Sequence, residues 1–221
     1  MRFIVTLVIG LSLVCSHAVA QDIRIWQKGL PFELTLSQAG EVAMSDDGVT
    51  LTAPKGTDLY NPAGEPAVSS APRLTFTPPA GDFIFAFKAK SQLKAAYDGP
   101  GLVVWNGEGY WAKMLFERLP DNSNAVSSNF STPVGDNSYH FRTEGSVDEI
   151  WMKMVRVKTS VFFYASRDGK SWEIVRDFSV DPAKPLSIGM FGQSPLGEHL
   201  TTVFSEVRFE QKTITSYWNG E

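Results

Sequence analysis

The chain has 221 residues, 43% hydrophobic, 12% aromatic and 20% charged, with a formal net charge of −4. A disordered chain would hold fewer aromatics and more net charge. A nucleic-acid binder would carry a basic footprint, whereas the pI here is near 5.5. The length suits one large domain or two small ones, and 18 Gly with 13 Pro favour turns over long helices.

Met1-Arg2 is a short positive start. An apolar run follows from Phe3 to Val14, and Ala18-Val19-Ala20 has the small-x-small form of a signal-peptidase site. The run is shorter than the about 20 apolar residues a membrane anchor needs. Residues 1–20 are therefore expected to be a signal peptide. Lipidation at Cys15 is the weaker alternative, because Val14 is a poor residue to precede a lipidated Cys. Cleavage after Ala20 removes the only cysteine, leaving residues 21–221 without disulfide or thiol chemistry in an exported, periplasmic or secreted, product.

Alternation of period two predicts strands at 33–36, 42–45, 49–53, 73–76, 83–89, 101–105, 111–117 and 125–130. Further strands are expected at 139–143, 150–158, 160–166, 172–178, 186–191 and 201–210. Turn chemistry separates them, as at Asp46-Asp47-Gly48, Pro78-Pro79-Ala80-Gly81, Asp168-Gly169 and Asp181-Pro182. The stretch from Pro54 to Pro72 reads as an irregular loop over one domain. No stripe at helical spacing competes, so the fold class is all-β, a sandwich or barrel. Ser160 to Arg176 reads as a hairpin turning at Arg167-Asp168-Gly169-Lys170, with Trp172 packing back across it.

An ordered set of short motifs adds a resemblance. It comprises Gly56-Thr57-Asp58, Ala71-Pro72-Arg73-Leu74, Gly81-Asp82-Phe83, Tyr97-Asp98, Gly101-Leu102, Trp111-Ala112-Lys113, Phe116-Glu117, Asp168-Gly169-x-x-Trp172 and Gln193-Ser194-Pro195-x-Gly197. Together these resemble the bacterial "regulation of enolase" domain family, a largely uncharacterised branch of the concanavalin A-like jelly rolls. The resemblance implies a single jelly-roll β-sandwich of two antiparallel sheets, one convex and one concave, over residues 21–221. It implies no established reaction. Ser70 stands where the family often has Asn, and Val126-Ser127-Ser128-Asn129-Phe130 replaces a Val-Ser-Val-Val-Thr strand.

Side chains alternate across a strand, so Trp111, Lys113, Leu115 and Glu117 share one face and Ala112, Met114 and Phe116 the other. The second set is core. The first mixes an aromatic, a cation and a carboxylate, as a ligand groove does; the bland alternative is a solvated sheet face. Either way Lys113 and Glu117 are expected to face solvent and to matter little for folding. In the strand at 150–158, Met152 and Met154 read as core filler. Lys153 and Trp151 then join the groove. Ser127 with Asn129, and Gln193 with Ser194, complete the set. Trp105, Trp111 and Trp151 are candidates for stacking on sugar rings, against a simpler role in the core.

The reading favoured is a domain that binds a glycan or glycoconjugate in a groove on its concave sheet. The runner-up is a glycan-active hydrolase or lyase using Glu117 with a second groove carboxylate, since glycoside hydrolysis wants two; Glu117 and Asp58 are the candidate groove carboxylates. A structural or interaction module of the envelope is a third class. No cofactor is expected. His140 and His199 alone do not make a zinc site, and no Gly-x-Ser-x-Gly elbow is present. The Asp121–Asn124 and Asp136-Asn137 loops are read as Asx turns, with Ca²⁺ as the lesser alternative. Nothing in the sequence points to a nucleic-acid partner or a membrane span, or sets an oligomeric state.

Overall fold

The computed structural model describes residues 24–221 except 27, 28, 47, 63, 133 and 144–146. The expected signal peptide and Cys15 lie outside the described residues. Seventeen strands follow in chain order. The first eight are β1 (Arg24–Trp26), β2 (Glu33–Ser37), β3 (Glu41–Ser45), β4 (Gly48–Pro54), β5 (Leu59–Tyr60), β6 (Val68–Ser69), β7 (Arg73–Phe76) and β8 (Phe83–Ser91). Then come β9 (Gly99–Trp105), β10 (Trp111–Arg118), β11 (Asn124–Ser131), β12 (Gly135–Thr143) and β13 (Glu149–Val157). The last four are β14 (Ser160–Ser166), β15 (Glu173–Ser179), β16 (Ser187–Gln193) and β17 (His199–Glu210). No helix occurs among the described residues.

Two antiparallel sheets stack as a jelly-roll sandwich. The first runs β1-β2-β7-β16-β9-β10-β11-β12 and the second β15-β14-β13-β8-β17-β4-β3. Between them lies one apolar layer drawn from both, including Leu34, Phe85, Phe87, Met114, Phe116, Met152, Met154, Met190 and Phe204. Ala112, Met114 and Phe116 are fully buried there, as alternation requires, and so are Met152 and Met154. Aromatic pairs lock the layer, among them Phe76 edge-on to Phe85 and Phe87 edge-on to Phe204.

Every strand expected from alternation is present, with its ends shifted by a few residues. Trp172 falls outside, just before β15, because Asp168 Oδ1 accepts the Lys170 and Ser171 amides at 2.8 and 2.7 Å and so prolongs the turn. Strands β1, β5 and β6 carry no alternation long enough to be read. The last two form a small ribbon within the 54–72 segment.

That segment decides the character of the first sheet. It lies across the sheet's outer face and is fastened at both ends. At one end Gly56 donates to the Ser194 carbonyl at 2.9 Å and Ser194 to that of Thr57 at 3.1 Å. At the other, Gly135 donates to the Asn61 carbonyl at 3.0 Å, and Asn61 Nδ2 to Ser131 Oγ at 2.8 Å. A Cβ on Gly135 would sit 2.1 Å from that carbonyl, so only glycine lets the segment come this close. Beneath it Leu59 and Ala71 pack on Val103, Trp111, Leu115 and Phe191 in a second apolar cluster. The central strands of the first sheet are thus buried on both faces, not one.

Phe116 sits wholly within the inter-sheet layer. Phe116→Ala should lower the unfolding free energy by about 3–5 kcal/mol through lost burial and a residual cavity. Urea denaturation of the variant and parent measures the difference.

Candidate functional site

Beyond the second apolar cluster the outer face of the first sheet turns polar. Strand β10 presents Lys113 and Glu117, and β11 pairs so that Asn129 lies opposite Lys113 and Ser127 opposite Leu115. Strand β12 continues the row, setting Asn137 opposite Asn129 and Tyr139 opposite Ser127. Gln193 closes one side at the end of β16, where it pairs with Gly99. The fastened segment contributes Asp58 and Tyr60, and Tyr97 comes from the turn before β9. Together Asp58, Tyr60, Tyr97, Lys113, Glu117, Asn129, Asn137, Tyr139 and Gln193 line a cleft of about 290 Å³. That is near the lower end of the range of small-ligand pockets.

A buried cation lies at its floor. Lys113 is 2% exposed. Its ammonium donates to Gln193 Oε1 at 2.8 Å and lies 3.9 Å from Asp58 Oδ1. Gln193 is itself held, its Nε2 donating to the Tyr97 carbonyl at 3.1 Å. Glu117 is also buried and accepts a short hydrogen bond from Ser127 Oγ. Asp58 accepts from the Leu59 amide at 2.8 Å. The expectation that Lys113 and Glu117 face solvent is corrected here: both are buried beneath the 54–72 segment and the flanking strands.

Burial sets the protonation behaviour. Desolvation pushes the Glu117 carboxyl above its ordinary pKa, against the opposing pull of the Ser127 hydroxyl and Lys113. Asp58 is raised for the same reason, with Lys113 and the Leu59 amide opposing. Lys113 is lowered by its own desolvation, with Asp58 and Glu117 opposing. The Tyr139 phenol is raised by desolvation and by the nearby Glu117. A carboxyl pair and an amine held away from their ordinary values in one cleft are the equipment of either tight polar recognition or proton transfer.

Of the residues singled out in the sequence, Lys113, Glu117, Asp58, Asn129 and Gln193 line the cleft. Ser127 and Ser194 sit just behind it as positioning residues. Ser194 Oγ donates to Asp98 Oδ1 at 2.8 Å, and Asp98 Oδ2 accepts the Ala95 amide at 2.9 Å, which braces the turn carrying Tyr97. The tryptophans do not join them. Trp111 is buried in the cluster under Leu59, and Trp105 lies against it beneath the Arg73 guanidinium at 4.5 Å. Trp151 and Lys153 are on β13 of the second sheet, across the core from the cleft. Trp151 Nε1 donates to Glu206 Oε2 at 3.4 Å with Lys88 over its ring. Lys153 donates to the Asn219 carbonyl at 2.6 Å under Trp172, and desolvation lowers its pKa to about 8. Both assignments to the groove are therefore corrected: strand parity was read properly, but sheet membership separates the strands. In the oxygen-rich loops, Asp121 is bonded to Arg142 and Ser123, and Asp136 to Arg176.

Three tyrosines, Tyr60, Tyr97 and Tyr139, were not singled out as ligand contacts. Tyr139 and Asn137 share a parity in β12, and that alternation was the available signal. Tyr97 gave none beyond its place in a motif. It adopts φ of 68°, a left-handed conformation rare for a side chain of this size. The Arg118 carbonyl holds it there by accepting the Tyr97 amide at 2.7 Å. Such strain is of order 1–3 kcal/mol and clusters at functional sites.

Residues 36–212 match the model of a family described as a protein of unknown function, DUF1349. The chain belongs to this family. No curated protein matches the chain. Among solved structures, a functionally unknown protein from Saccharomyces cerevisiae superposes with a TM-score of 0.74 at 21% identity, over 82% of this chain and 97% of that one. An alginate lyase from Pseudomonas aeruginosa superposes with a TM-score of 0.53 at 11% identity, over 80% of this chain and 88% of the other. A GH43 protein from Bacillus licheniformis gives 0.57 at 13% identity over 74% of this chain, which spans 33% of that protein. These likenesses show the jelly-roll sandwich fold alone.

The raised carboxyl of Glu117 has a measurable consequence. A raised acid holds its proton in the native state above the pH at which the unfolded chain releases it. Its stabilising contribution is complete below the unfolded pKa, 4.5 for glutamate, and is lost as pH rises through the folded value. Glu117→Gln has no such loss. The variant should gain stability relative to the parent as pH is raised from about 4 to about 7. Paired urea midpoints across that range test this; a gap that stays flat or shrinks contradicts it.

Proposed function

We propose that this chain is an exported domain that binds a saccharide in the cleft on the outer face of its first sheet. The observation that carries the reading is the lining itself. Three tyrosines line the cleft together with Asn129, Asn137, Gln193, Glu117 and Asp58, on strands or braced turns. A sugar presents apolar C–H faces and a ring of hydroxyls. Tyrosines pack against the former, and amides and carboxylates bond the latter. Placement on strands supplies the rigidity that precise recognition needs. The fold is shared with glycan-active proteins, and export follows from the signal-peptide form of residues 1–20. The ordered motifs also support a place near the "regulation of enolase" domains, which brings no reaction with it.

A second reading has one specific support: Glu117 and Asp58 face the same cleft, and both are raised. A raised carboxyl is what a general acid requires. In that reading Glu117 protonates a leaving oxygen and turnover disappears in Glu117→Gln. A binder loses no turnover, having none.

Tyr139 separates recognition from folding, since it is 52% exposed. Tyr139→Ala should move stability by within about 0.5 kcal/mol. For whichever oligosaccharide a glycan array returns with the parent chain, its affinity should fall at least about tenfold, or about 1.4 kcal/mol. Calorimetry and thermal melts on both proteins check the pair. Unchanged affinity in a folded variant would remove the cleft from the binding surface.

A further inference from the structure

The cleft has a charge imbalance that bears on what enters it. Its ionisable lining groups are Asp58, Glu117 and Lys113, with the phenols of Tyr60, Tyr97 and Tyr139. The neighbouring basic side chains point elsewhere. Arg118, at the end of β10, donates to Asn122 Oδ1 at 3.1 Å, and Arg73 is stacked on Trp105. Asp98 is a further carboxylate behind the lining, its oxygens accepting from Ser194 Oγ and the Ala95 amide. Two lining carboxylates thus face one ammonium.

That ammonium is already engaged, with Gln193 Oε1 at 2.8 Å and Asp58 Oδ1 at 3.9 Å. An incoming carboxylate or sulfate would have to share an ammonium that already bonds Gln193 and sits beside Asp58, and would meet two like charges. Glu117 is in the opposite position. A carboxylate has about four lone-pair sites. Among the described residues Ser127 Oγ donates to one of its oxygens, and Glu117 lines the cleft, so it keeps accepting capacity for a ligand there. An ammonium entering there gains Glu117 and Asp58 as acceptors and the tyrosine faces as cation–π partners.

Resting on the saccharide reading above, we infer that the cleft selects a glycan bearing free amino groups, an amino-sugar oligomer, and rejects acidic glycans. Neutral sugars fall between, since their hydroxyls can bond the same oxygens without the charge.

Three probes of matched length decide it: glucosamine hexasaccharide, its N-acetylated counterpart and galacturonic acid hexasaccharide. Each is titrated calorimetrically into the purified full chain at near-neutral pH. The glucosamine oligomer should bind at least tenfold tighter than the N-acetylated one, and the galacturonate oligomer should give no measurable heat. Glu117→Gln should erase the preference. Glu173→Gln removes one carboxylate from β15 on the second sheet and should leave it intact. Tighter binding of the galacturonate oligomer, equal binding of the glucosamine and N-acetylated forms, or equal loss in Glu173→Gln would overturn the inference while the saccharide reading stands. If none of the three probes binds, and an array of neutral glycans is also blank, the saccharide reading falls with it.

Discussion

A lysine ammonium lies almost wholly buried, 2% exposed, on the outer face of a β-sheet. Removing an ion of this kind from water costs several kcal/mol even after relaxation, unless partners replace the solvent. Lys113 obtains them from elements that arrive from different parts of the chain. Gln193 comes from the end of β16 and Asp58 from the segment laid over the sheet. Gln193 is held in turn by the Tyr97 carbonyl. The cleft wall is therefore not a set of independent side chains. Gln193 and Asp58 face the open space and also hold the buried charge, and Tyr97 holds Gln193.

The 54–72 segment makes this arrangement. It brings Leu59 and Ala71 down onto Trp111, Leu115 and Phe191, and so converts half of the outer face into a second apolar cluster. The remaining half stays polar and becomes the cleft. One strand, β10, carries both: Trp111 and Leu115 belong to the cluster, while Lys113 and Glu117 belong to the site. Burial of the apolar pair fixes the strand and the covering segment rigidly, and the polar pair inherits that rigidity. The left-handed Tyr97 and the bond from Ser194 to Asp98 do the same for the turn on the other side.

The sheet architecture was legible because period-two alternation is a direct consequence of strand geometry. It correctly assigned Ala112, Met114 and Phe116 to the core and Lys113 with Glu117 to the other face. Alternation says which face of its own strand a residue takes. It does not say which sheet that strand joins, and Lys153 went wrong for that reason: β10 and β13 lie in different sheets. Nor does it foresee a covering segment. The 54–72 stretch has the Pro and Gly content of a loop, and only its two-ended fastening shows that it buries Trp111 and Lys113 instead of leaving them in water. Six tryptophans suggested aromatic stacking. The aromatic rim is built from tyrosines instead, one of them reached only through an irregular turn that no periodic signal marks.

The central claim is that the polar cleft over Lys113 is where a sugar binds. A crystal structure of the chain soaked with an oligosaccharide selected on an array tests it most directly. The account predicts sugar density against Tyr60, Tyr97 and Tyr139, with hydroxyl or amino groups within hydrogen-bond reach of Asn129 and Glu117. Ordered sugar on the outer face of the second sheet, beside Trp151, with the cleft empty, would contradict it.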